Sequence, residues 1–369
     1  VLKNVRPGTL LASRYELRRR HGAGLNGVAW VAFDRTTDRE VALKLIPRRR
    51  TAGRDGRASM LRDVRASGRV LHPNVAEVYD AGETDEGNVY VVTQLLEGET
   101  LATLLARERG LSPPRAARIA LEAAKGLAAM HAVGLVHKNL KPSNVLLHRE
   151  RASGEITVKI GDLGLCLRGQ EVLDDDEEPR AETEDGVGYL SPEQVRGDEM
   201  LDARSDFWSL GVILLEMLTG RAPFSAESRQ AILEDVLRGS IAGLGSLDEQ
   251  VDRRLVGLVT SCLQRDPLRR PIAAREVVGE LERVLGIRGA GELSLLRVSV
   301  PDDTTKEAPQ RLKAPLRWRR QMLIGMVALV ALCVAAAGLW FATRSTSSTL
   351  PSAGSGRHSV GVDGGRGPL

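Results

Sequence analysis

The spacing of hydrophobic residues changes about a hundred residues into the chain, and this change constrains the fold most. Before residue 96, β-like runs such as 40–46 and 89–94 are bounded by turn residues, with one helical stretch near 59–70. From residue 101 to about 286, apolar residues recur every three or four positions, as in α-helices. The clearest helical segments are 113–130, 205–218 and 273–284. The pattern predicts an α+β fold with a small sheet-rich lobe and a larger helical lobe.

Three glycines, Gly22, Gly24 and Gly27, lie in the segment 22–27 (GAGLNG), ahead of a β-like run at 28–33. Glycines let backbone amides approach a polyphosphate without interference from side chains. A dinucleotide site of the βαβ type would need the glycines to follow a strand and open a helix, whereas strands follow here. The pattern favours a flap over phosphates. Taken alone Lys44 would be a solvated lysine, but on the next strand it is within reach of those phosphates.

Two polar loops in the second half of the chain carry a more specific signal. The segment 137–144 (HKNLKPSN) is followed by 161–164 (GDLG), and together they resemble the catalytic and metal-binding loops of protein kinases. The resemblance runs from about residue 15 to 285, and further motifs follow in the family's order. These motifs are 191–193 (SPE), 206–211 (DFWSLG) and 269–271 (RRP). Residues 141–144 (KPSN) match the form of this loop in Ser/Thr kinases, and the chain as a whole resembles the membrane-anchored Ser/Thr protein kinases of bacteria.

The resemblance implies a bilobal protein-kinase fold that binds ATP and Mg²⁺. By position, Lys44 would pair the α- and β-phosphates, and Lys141 would neutralise the transferred phosphoryl group. Asn144 and Asp162 would hold the metal, and their oxygens are ligands that suit Mg²⁺. The remaining implied nucleotide contacts are Gly22, Gly24, Gly27, Ala42 against adenine, Thr93 at the gatekeeper position, and the hinge residues Gln94 and Leu96.

Three further matches are implied to be structural. Glu193 and Arg270 would form a buried pair that anchors the activation segment, and Asp206 would hold the backbone of the catalytic loop. Buried charges need such partners. These residues predict an intact fold.

Asn139 departs from the family at the reacting centre, because the resemblance implies an aspartate there that accepts the proton of the substrate hydroxyl. An amide oxygen can position a hydroxyl but does not accept a proton at neutral pH. A positioned acid or base typically contributes about 10² to 10⁴ in rate. The substitution is compatible with a complete loss of phosphoryl transfer or with slow residual transfer.

Two further departures are predicted to weaken catalysis. Asp63 aligns with the helical glutamate that pairs with the strand lysine, and its side chain is one carbon shorter, so the pair with Lys44 requires the helix to move inward. Gly186 replaces a threonine that contacts the catalytic aspartate and the substrate loop. The alternative is that these substitutions are neutral sequence drift and leave the catalytic activity intact.

Three functions are compatible with these residues. The chain could be a nucleotide-binding pseudokinase that acts as a scaffold or allosteric partner, an active and slow Ser/Thr kinase, or an interaction platform that binds no nucleotide. The coexistence of Lys44, Asn144 and Asp162 speaks against the platform. The acidic run 174–178 either pairs with Lys138, in place of a phosphate, or is a solvated loop.

An uncharged run at 322–342 predicts a membrane-spanning helix, with 321–343 as the full span. Its 21 residues would extend about 30 Å, the thickness of the hydrocarbon core. A buried core helix is the alternative. Basic residues precede the run and are sparse after it, which favours a cytoplasmic kinase-like domain. The preceding basic residues are Arg311, Lys313, Arg317, Arg319 and Arg320.

The predicted organisation is therefore a kinase-like domain at 1–286, a juxtamembrane linker at 287–320, the span, and a short disordered tail at 344–369 outside the cell. Lysine and arginine total 52 against 48 acidic residues, both are mixed through the first 290 residues, and only 3% are aromatic, so nucleic-acid binding is not expected. Cys166, Cys262 and Cys333 are too dispersed for a disulfide framework or a paired-ligand zinc site.

Overall fold

The computed structural model describes residues 5–24, 27–48, 51, 53–150, 153–162, 186–198, 200–247 and 251–287. The predicted span at 321–343, the tail, the acidic run at 174–178 and nearly all of the predicted linker lie outside these residues. Within the described ranges, no helix combines the length and the apolar composition that crossing a membrane requires.

The amino-terminal lobe is built on a six-stranded antiparallel sheet with the strand order β1-β2-β3-β4-β6-β5. The strands are β1 (Leu10–Leu11), β2 (Tyr15–Gly24), β3 (Gly27–Asp34), β4 (Arg39–Ile46), β5 (Val78–Glu83) and β6 (Val89–Thr93). The strands predicted at 28–33, 40–46 and 89–94 are confirmed to within a residue at each end. Turn residues separate them, so each run of β-branched and aromatic residues forms its own strand.

Alternation along β4 decides which residues face the site. Val41, Leu43 and Leu45 are buried in a hydrophobic cluster on one face of the sheet. Because successive side chains of a strand point to opposite faces, Ala42 and Lys44 lie on the other face. The core therefore fixes the direction in which the lysine projects.

One helix of this lobe, α1 (Gly53–Ser67), packs on the sheet through Met60, Leu61 and Val64. These residues contact Ile46 and the β5–β6 pair in a second small core. The predicted helix near 59–70 begins six residues too late and ends three residues too late. Glycines at 53 and 56 are poor helix formers, so helix propensity does not predict the first turns of α1.

The carboxyl-terminal lobe is mainly helical and contains the largest hydrophobic core. Its helices are α2 (Leu101–Glu108), α3 (Pro113–Ala132), α4 (Pro192–Arg196), α5 (Ala203–Thr219), α6 (Arg229–Arg238), α7 (Arg253–Cys262) and α8 (Ala274–Val284). The long α3 packs against α5 and α8, and its buried face is rich in alanine, which allows close approach. The two-lobe α+β architecture predicted from periodicity is confirmed.

A small sheet lies between the lobes and carries the loops of the site. It contains β7 (Gly98–Thr100), β8 (Val145–Arg149) and β9 (Ile156–Ile160) in that order. The segment that leads from α1 to β5 joins it. The amide of Ala76 donates to the carbonyl oxygen of Ile160, and the amide of Ile160 donates to the carbonyl oxygen of Asn74. The residues before β8 and after β9 are therefore held beneath the amino-terminal sheet.

Candidate active site

The roof of the candidate site is one face of the amino-terminal sheet. Directly paired residues share a face, and the register pairs Ala42 with Thr93 across β4 and β6. On the other side of β4, Ala29 pairs with Lys44 and Val31 pairs with Ala42. The sequence analysis predicted Ala42, Lys44 and Thr93 here and missed Ala29, which the register of β3 on β4 adds. Val31 lies on the same face but is fully buried.

The glycine segment forms the end of the β2–β3 hairpin, where Gly24 pairs with Gly27. Gly27 has a φ of 125°, and a Cβ atom there would lie 2.2 Å from the carbonyl oxygen of Leu45. Gly22 has open space around it. The packing of β3 on β4 therefore requires a glycine at position 27 independently of any ligand.

Lys44 forms an ion pair across the cleft, with its Nζ 2.6 Å from Oδ2 of Asp162. The two residues are 118 positions apart. Desolvation raises the pKa of Asp162, but the charge and the hydrogen bond of Lys44, together with the charge of Lys141, outweigh it and hold the pKa below its usual value. The carboxylate is therefore ionised at neutral pH.

Asp63 does not share this ion pair. Among the described residues, no salt bridge or hydrogen bond joins Asp63 to Lys44. Asp63 and Ser67 instead line a cavity of about 160 Å³, whose other walls include Met130, Leu135 and Lys138. The Asp63–Lys44 pair, which the sequence analysis made conditional on an inward movement of the helix, is not formed, and Lys44 pairs with Asp162 instead.

The catalytic-loop segment is held from below by Asp206 of α5, whose side chain is fully buried. Its Oδ2 accepts from the amide of His137 at 2.9 Å, and its Oδ1 accepts from the amide of Lys138 at 2.8 Å. The Nε2 atom of His131 lies 2.7 Å from Oδ2. These three contacts place the predicted backbone anchor where the resemblance implied it.

His137 connects the two polar loops. Its Nδ1 accepts from the amide of Asn139 at 3.3 Å, so the proton is on Nε2, which lies 2.9 Å from the carbonyl oxygen of Gly161. Burial lowers the pKa of His137, and the opposing effects of Asp206 and Asp162 are smaller. The neutral ring therefore acts as a structural bridge.

Asn144 is oriented by the same loop. Its Nδ2 donates to the carbonyl oxygen of Asn139 at 2.8 Å, which leaves Oδ1 as the available ligand atom. Its own carbonyl oxygen accepts from Gly161 at 2.9 Å, so Asn144 and Asp162 are held on neighbouring segments. An amide oxygen and a carboxylate suit Mg²⁺, which takes one or two protein ligands and completes its shell with phosphates and water.

No group of three or more histidine, cysteine, aspartate or glutamate side chains that could hold a metal occurs in the described part of the chain. A transition-metal site built from such ligands alone is thus absent from the described residues. The Asn144–Asp162 pair needs no third protein ligand.

Asn139 places a neutral side chain in a loop whose backbone is held by hydrogen bonds to His137 and Asn144. On the side of the loop towards α4, a Cβ atom added to Gly186 would lie 3.5 Å from Nζ of Lys141. A threonine at that position would therefore touch the lysine. Its loss removes one contact between the loop of Lys141 and the segment that leads to α4.

Behind this segment, Glu193 and Arg270 form the predicted buried pair. Two parallel hydrogen bonds of 2.7 and 2.9 Å join them, and Ser205 donates to the same carboxylate at 2.8 Å. Arg270 also donates to the carbonyl oxygen of Arg204 at 3.0 Å. All charges of the pair are satisfied, so α4 is fixed to α5 and to the segment before α8.

The segment between β6 and β7 forms the edge of the cleft. The amide of Gln94 donates to the carbonyl oxygen of Glu77 at 2.8 Å. The amide of Leu96 has no hydrogen-bond acceptor within the described residues, so it is available to a ligand. His148 fixes the end of the segment through contacts of 3.0 Å with the backbone of Glu97.

Comparison with known proteins adds to this geometry. The family model described as "Protein kinase domain" matches residues 15–280. The serine/threonine-protein kinase PknL of Mycobacterium tuberculosis is 34% identical over 298 residues, which are 79% of this chain and 69% of PknL. The serine/threonine-protein kinase pkn3 of Myxococcus xanthus is 29% identical over 286 residues, covering 75% of this chain and 51% of pkn3.

A protein of Corynebacterium efficiens described as a probable serine/threonine-protein kinase is 29% identical over 317 residues. The match covers 83% of this chain and 46% of that protein. The chain therefore spans less than half the length of this relative.

Proposed function

Because this chain belongs to the bacterial serine/threonine protein kinase family, we propose that it binds Mg-ATP in its inter-lobe cleft and is catalytically impaired by Asn139. In this proposal it acts as a membrane-anchored signalling scaffold or allosteric partner. The observation that carries nucleotide binding is the convergence of Lys44, Asn144 and Asp162 in one cleft.

The residues of the cleft would share the work of holding the nucleotide. Ala29 and Ala42 offer an apolar roof to adenine, and the amide of Leu96 offers a hydrogen bond to its edge. Lys44, displaced from Asp162, would pair with phosphate oxygens. Mg²⁺ held by Asn144 and Asp162 would offset the negative charge of the phosphates.

Impairment follows from the chemistry of Asn139. Its amide oxygen accepts a hydrogen bond from a substrate hydroxyl but leaves the proton on that hydroxyl. Removal of a positioned base typically slows transfer by about 10² to 10⁴. Lys141 would still stabilise the transferred group, which supports slow transfer as the residual activity.

Membrane anchoring is supported by the uncharged run at 322–342 and by the basic residues that precede it. In this proposal residues 1–320 lie on the cytoplasmic side and the tail lies outside. Retention of the full chain in membranes washed with alkaline carbonate, and its release after deletion of 321–343, would test the anchor. Release of the full chain by the wash would refute it.

The second candidate is an active Ser/Thr kinase that transfers the γ-phosphate of ATP to protein substrates. It is favoured by the intact anchoring of the loop, since Asp206, His137 and Lys141 are all in place. The relatives named above are described as kinases, which supports the same candidate.

Labelled phosphate transfer to a generic protein substrate separates the two candidates. The test compares wild type, Asn139→Asp and Lys44→Ala. We expect Asn139→Asp to exceed wild type by about 10² or more, with Lys44→Ala inactive. Equal rates for wild type and Asn139→Asp, with Lys44→Ala inactive, would establish the active kinase and refute impairment.

A further inference from the structure

The solvent-facing side of α1 carries a row of arginines. Arg62, Arg65 and Arg69 are all exposed, and we call them the α1 arginine stripe. Arg69 lies in the turn that continues the helix, since its amide donates to the carbonyl oxygen of Ala66 at 3.1 Å. At 100° per residue the three side chains fall within an arc of about 60° on one face.

The stripe is not neutralised within the described residues. No ion pair joins Arg62, Arg65 or Arg69 to a described acidic side chain. Other surface arginines are paired, for example Arg35 with Glu16 at 3.0 Å. The opposite face of α1 is buried against the sheet, so the stripe is the outward side of a firmly packed helix.

The shape of the stripe distinguishes between anionic partners. Seven residues of helix place Arg62 and Arg69 about 10 Å apart along the axis. A carboxylate borders this narrow track, because Glu83 reaches the same helix at Arg57 with a 3.6 Å contact. A broad anionic surface such as a lipid bilayer would meet the exposed carboxylate of Glu83, whereas a single acidic segment would not.

Leu71 lies just beyond the stripe and is 53% exposed. A partner segment with carboxylates followed by an apolar residue would therefore match both features. Arginine forks bind carboxylates through two parallel hydrogen bonds, which gives such a contact direction as well as charge complementarity.

We propose that the α1 arginine stripe is a docking site for an acidic segment of a partner protein. The site provides a surface for the scaffold role, and in that respect it rests on the proposed function. Docking acts on the helix that also carries Asp63, above the cavity it lines with Ser67. The partner thus contacts a helix that lines the cavity beside Lys138 of the catalytic-loop segment.

The test uses the full chain and a synthetic helical peptide. The peptide has one glutamate, two more glutamates three and seven positions after it, to match the spacing of the stripe, and a leucine one turn after the last. The same peptide with glutamines is the control ligand. One variant carries Arg62→Gln, Arg65→Gln and Arg69→Gln, which preserves helix propensity. A matched variant carries Arg6→Gln, Arg19→Gln and Arg20→Gln, removing the same charge from other exposed positions.

We expect the glutamate peptide to bind wild type and the matched variant alike, and the stripe variant to bind about tenfold more weakly. Binding should weaken at high salt, and the glutamine peptide should not bind. Equal loss in both variants, or no binding to wild type, would overturn the proposal. Binding to phosphatidylserine vesicles that depends on the stripe, without binding to the peptide, would assign the stripe to lipid instead.

Nucleotide binding is measured on each variant as the shift of melting temperature with Mg-ATP. The stripe variant should keep the wild-type shift, because none of its three positions lies in the cleft. If the wild-type chain binds the peptide through the stripe but shows no shift of melting temperature with Mg-ATP, the proposed nucleotide site is refuted and the docking site stands.

Discussion

At the scale of single residues, Gly27 shows how a residue expected to serve a ligand is also required by packing. Its φ of 125° and the 2.2 Å that would separate an added Cβ atom from the carbonyl oxygen of Leu45 both exclude larger side chains. Gly22, in the same segment, has neither constraint. The two glycines therefore differ in their structural roles, although the sequence motif treats them alike.

We expect Gly27→Ala to destabilise the fold by about 1–3 kcal/mol through backbone strain, before the steric clash is added. Gly22→Ala should leave the free energy of unfolding nearly unchanged. Denaturant unfolding of both variants without nucleotide makes the comparison. Equal stability of the two variants would show that the hairpin adapts and that the glycine at 27 serves only a ligand.

His137 predicts a pH dependence of stability. Its folded pKa is lowered by burial relative to an unfolded value near 6.5, so the unfolded chain binds more protons below that pH. Stability is therefore retained above about pH 6.5 and lost as pH falls below it, by up to about 1.4 kcal/mol per pH unit. Asp162 and Glu193 add to the loss only at lower pH, because their pKa values are depressed below those of ordinary carboxyl groups.

Unfolding free energies measured between pH 7.5 and 5 test this assignment. His137→Gln should be less stable than wild type overall but should show a shallower slope over that range. His21→Gln, at an exposed position of β2, should retain the wild-type slope. An unchanged slope in His137→Gln would assign the pH dependence to other groups.

At the scale of elements, the pair Glu193–Arg270 fixes α4 against α5. We expect Glu193→Gln to destabilise the domain by about 3–5 kcal/mol, because it leaves a buried guanidinium without its counter-ion. Glu99→Gln breaks a pair with Arg107 on the surface and should leave the melting temperature nearly unchanged. Thermal melts of the two variants make the comparison. Equal decreases in melting temperature for Glu193→Gln and Glu99→Gln would contradict this reasoning.

Local patterns predicted the elements better than the contacts between them. The three helices predicted in the second lobe, at 113–130, 205–218 and 273–284, begin and end within about two residues of those limits, because buried faces enforce helical periodicity. The start of α1 was missed because Gly53 and Gly56 disguise its first turns. The Lys44–Asp162 pair, 118 residues apart, follows from how the lobes meet, and no local pattern encodes it.

Spacing indicated the glycine segment and Lys44, whereas the structural residues of the second lobe were identified only by the resemblance. Asp206, Glu193 and Arg270 have the contacts that were expected of them. Asp63 does not contact Lys44, because the placement of α1 against β4 is a property of packing that the aligned position does not contain. The roles of the nucleotide and metal residues stay predictions until ligand binding is measured.

At the scale of the whole molecule, the candidate cleft combines Lys44 from the first lobe with Asn144 and Asp162 at the second. A ligand that binds both lobes in the folded chain stabilises the fold by mass action. Mg-ATP at about a hundred times its dissociation constant should raise stability by about 2.7 kcal/mol.

The melting temperature with and without Mg-ATP measures this effect, and Lys44→Ala should abolish most of the shift. Asn144→Ala should reduce the shift with Mg-ATP while leaving that of ATP in excess chelator unchanged, because it removes only a metal ligand. A wild-type shift that does not depend on Lys44 would place the nucleotide elsewhere.

The anchoring of the catalytic loop by Asp206 also has a consequence for how the protein is made. The carboxylate that shapes the backbone at His137 lies 69 residues further along the chain. At roughly 5 to 20 residues per second, a ribosome adds that length in roughly 3 to 14 s. During this interval the nascent loop lacks the group that holds its amides, so a chain stalled before α5 exposes an unformed active-site loop to chaperones and proteases.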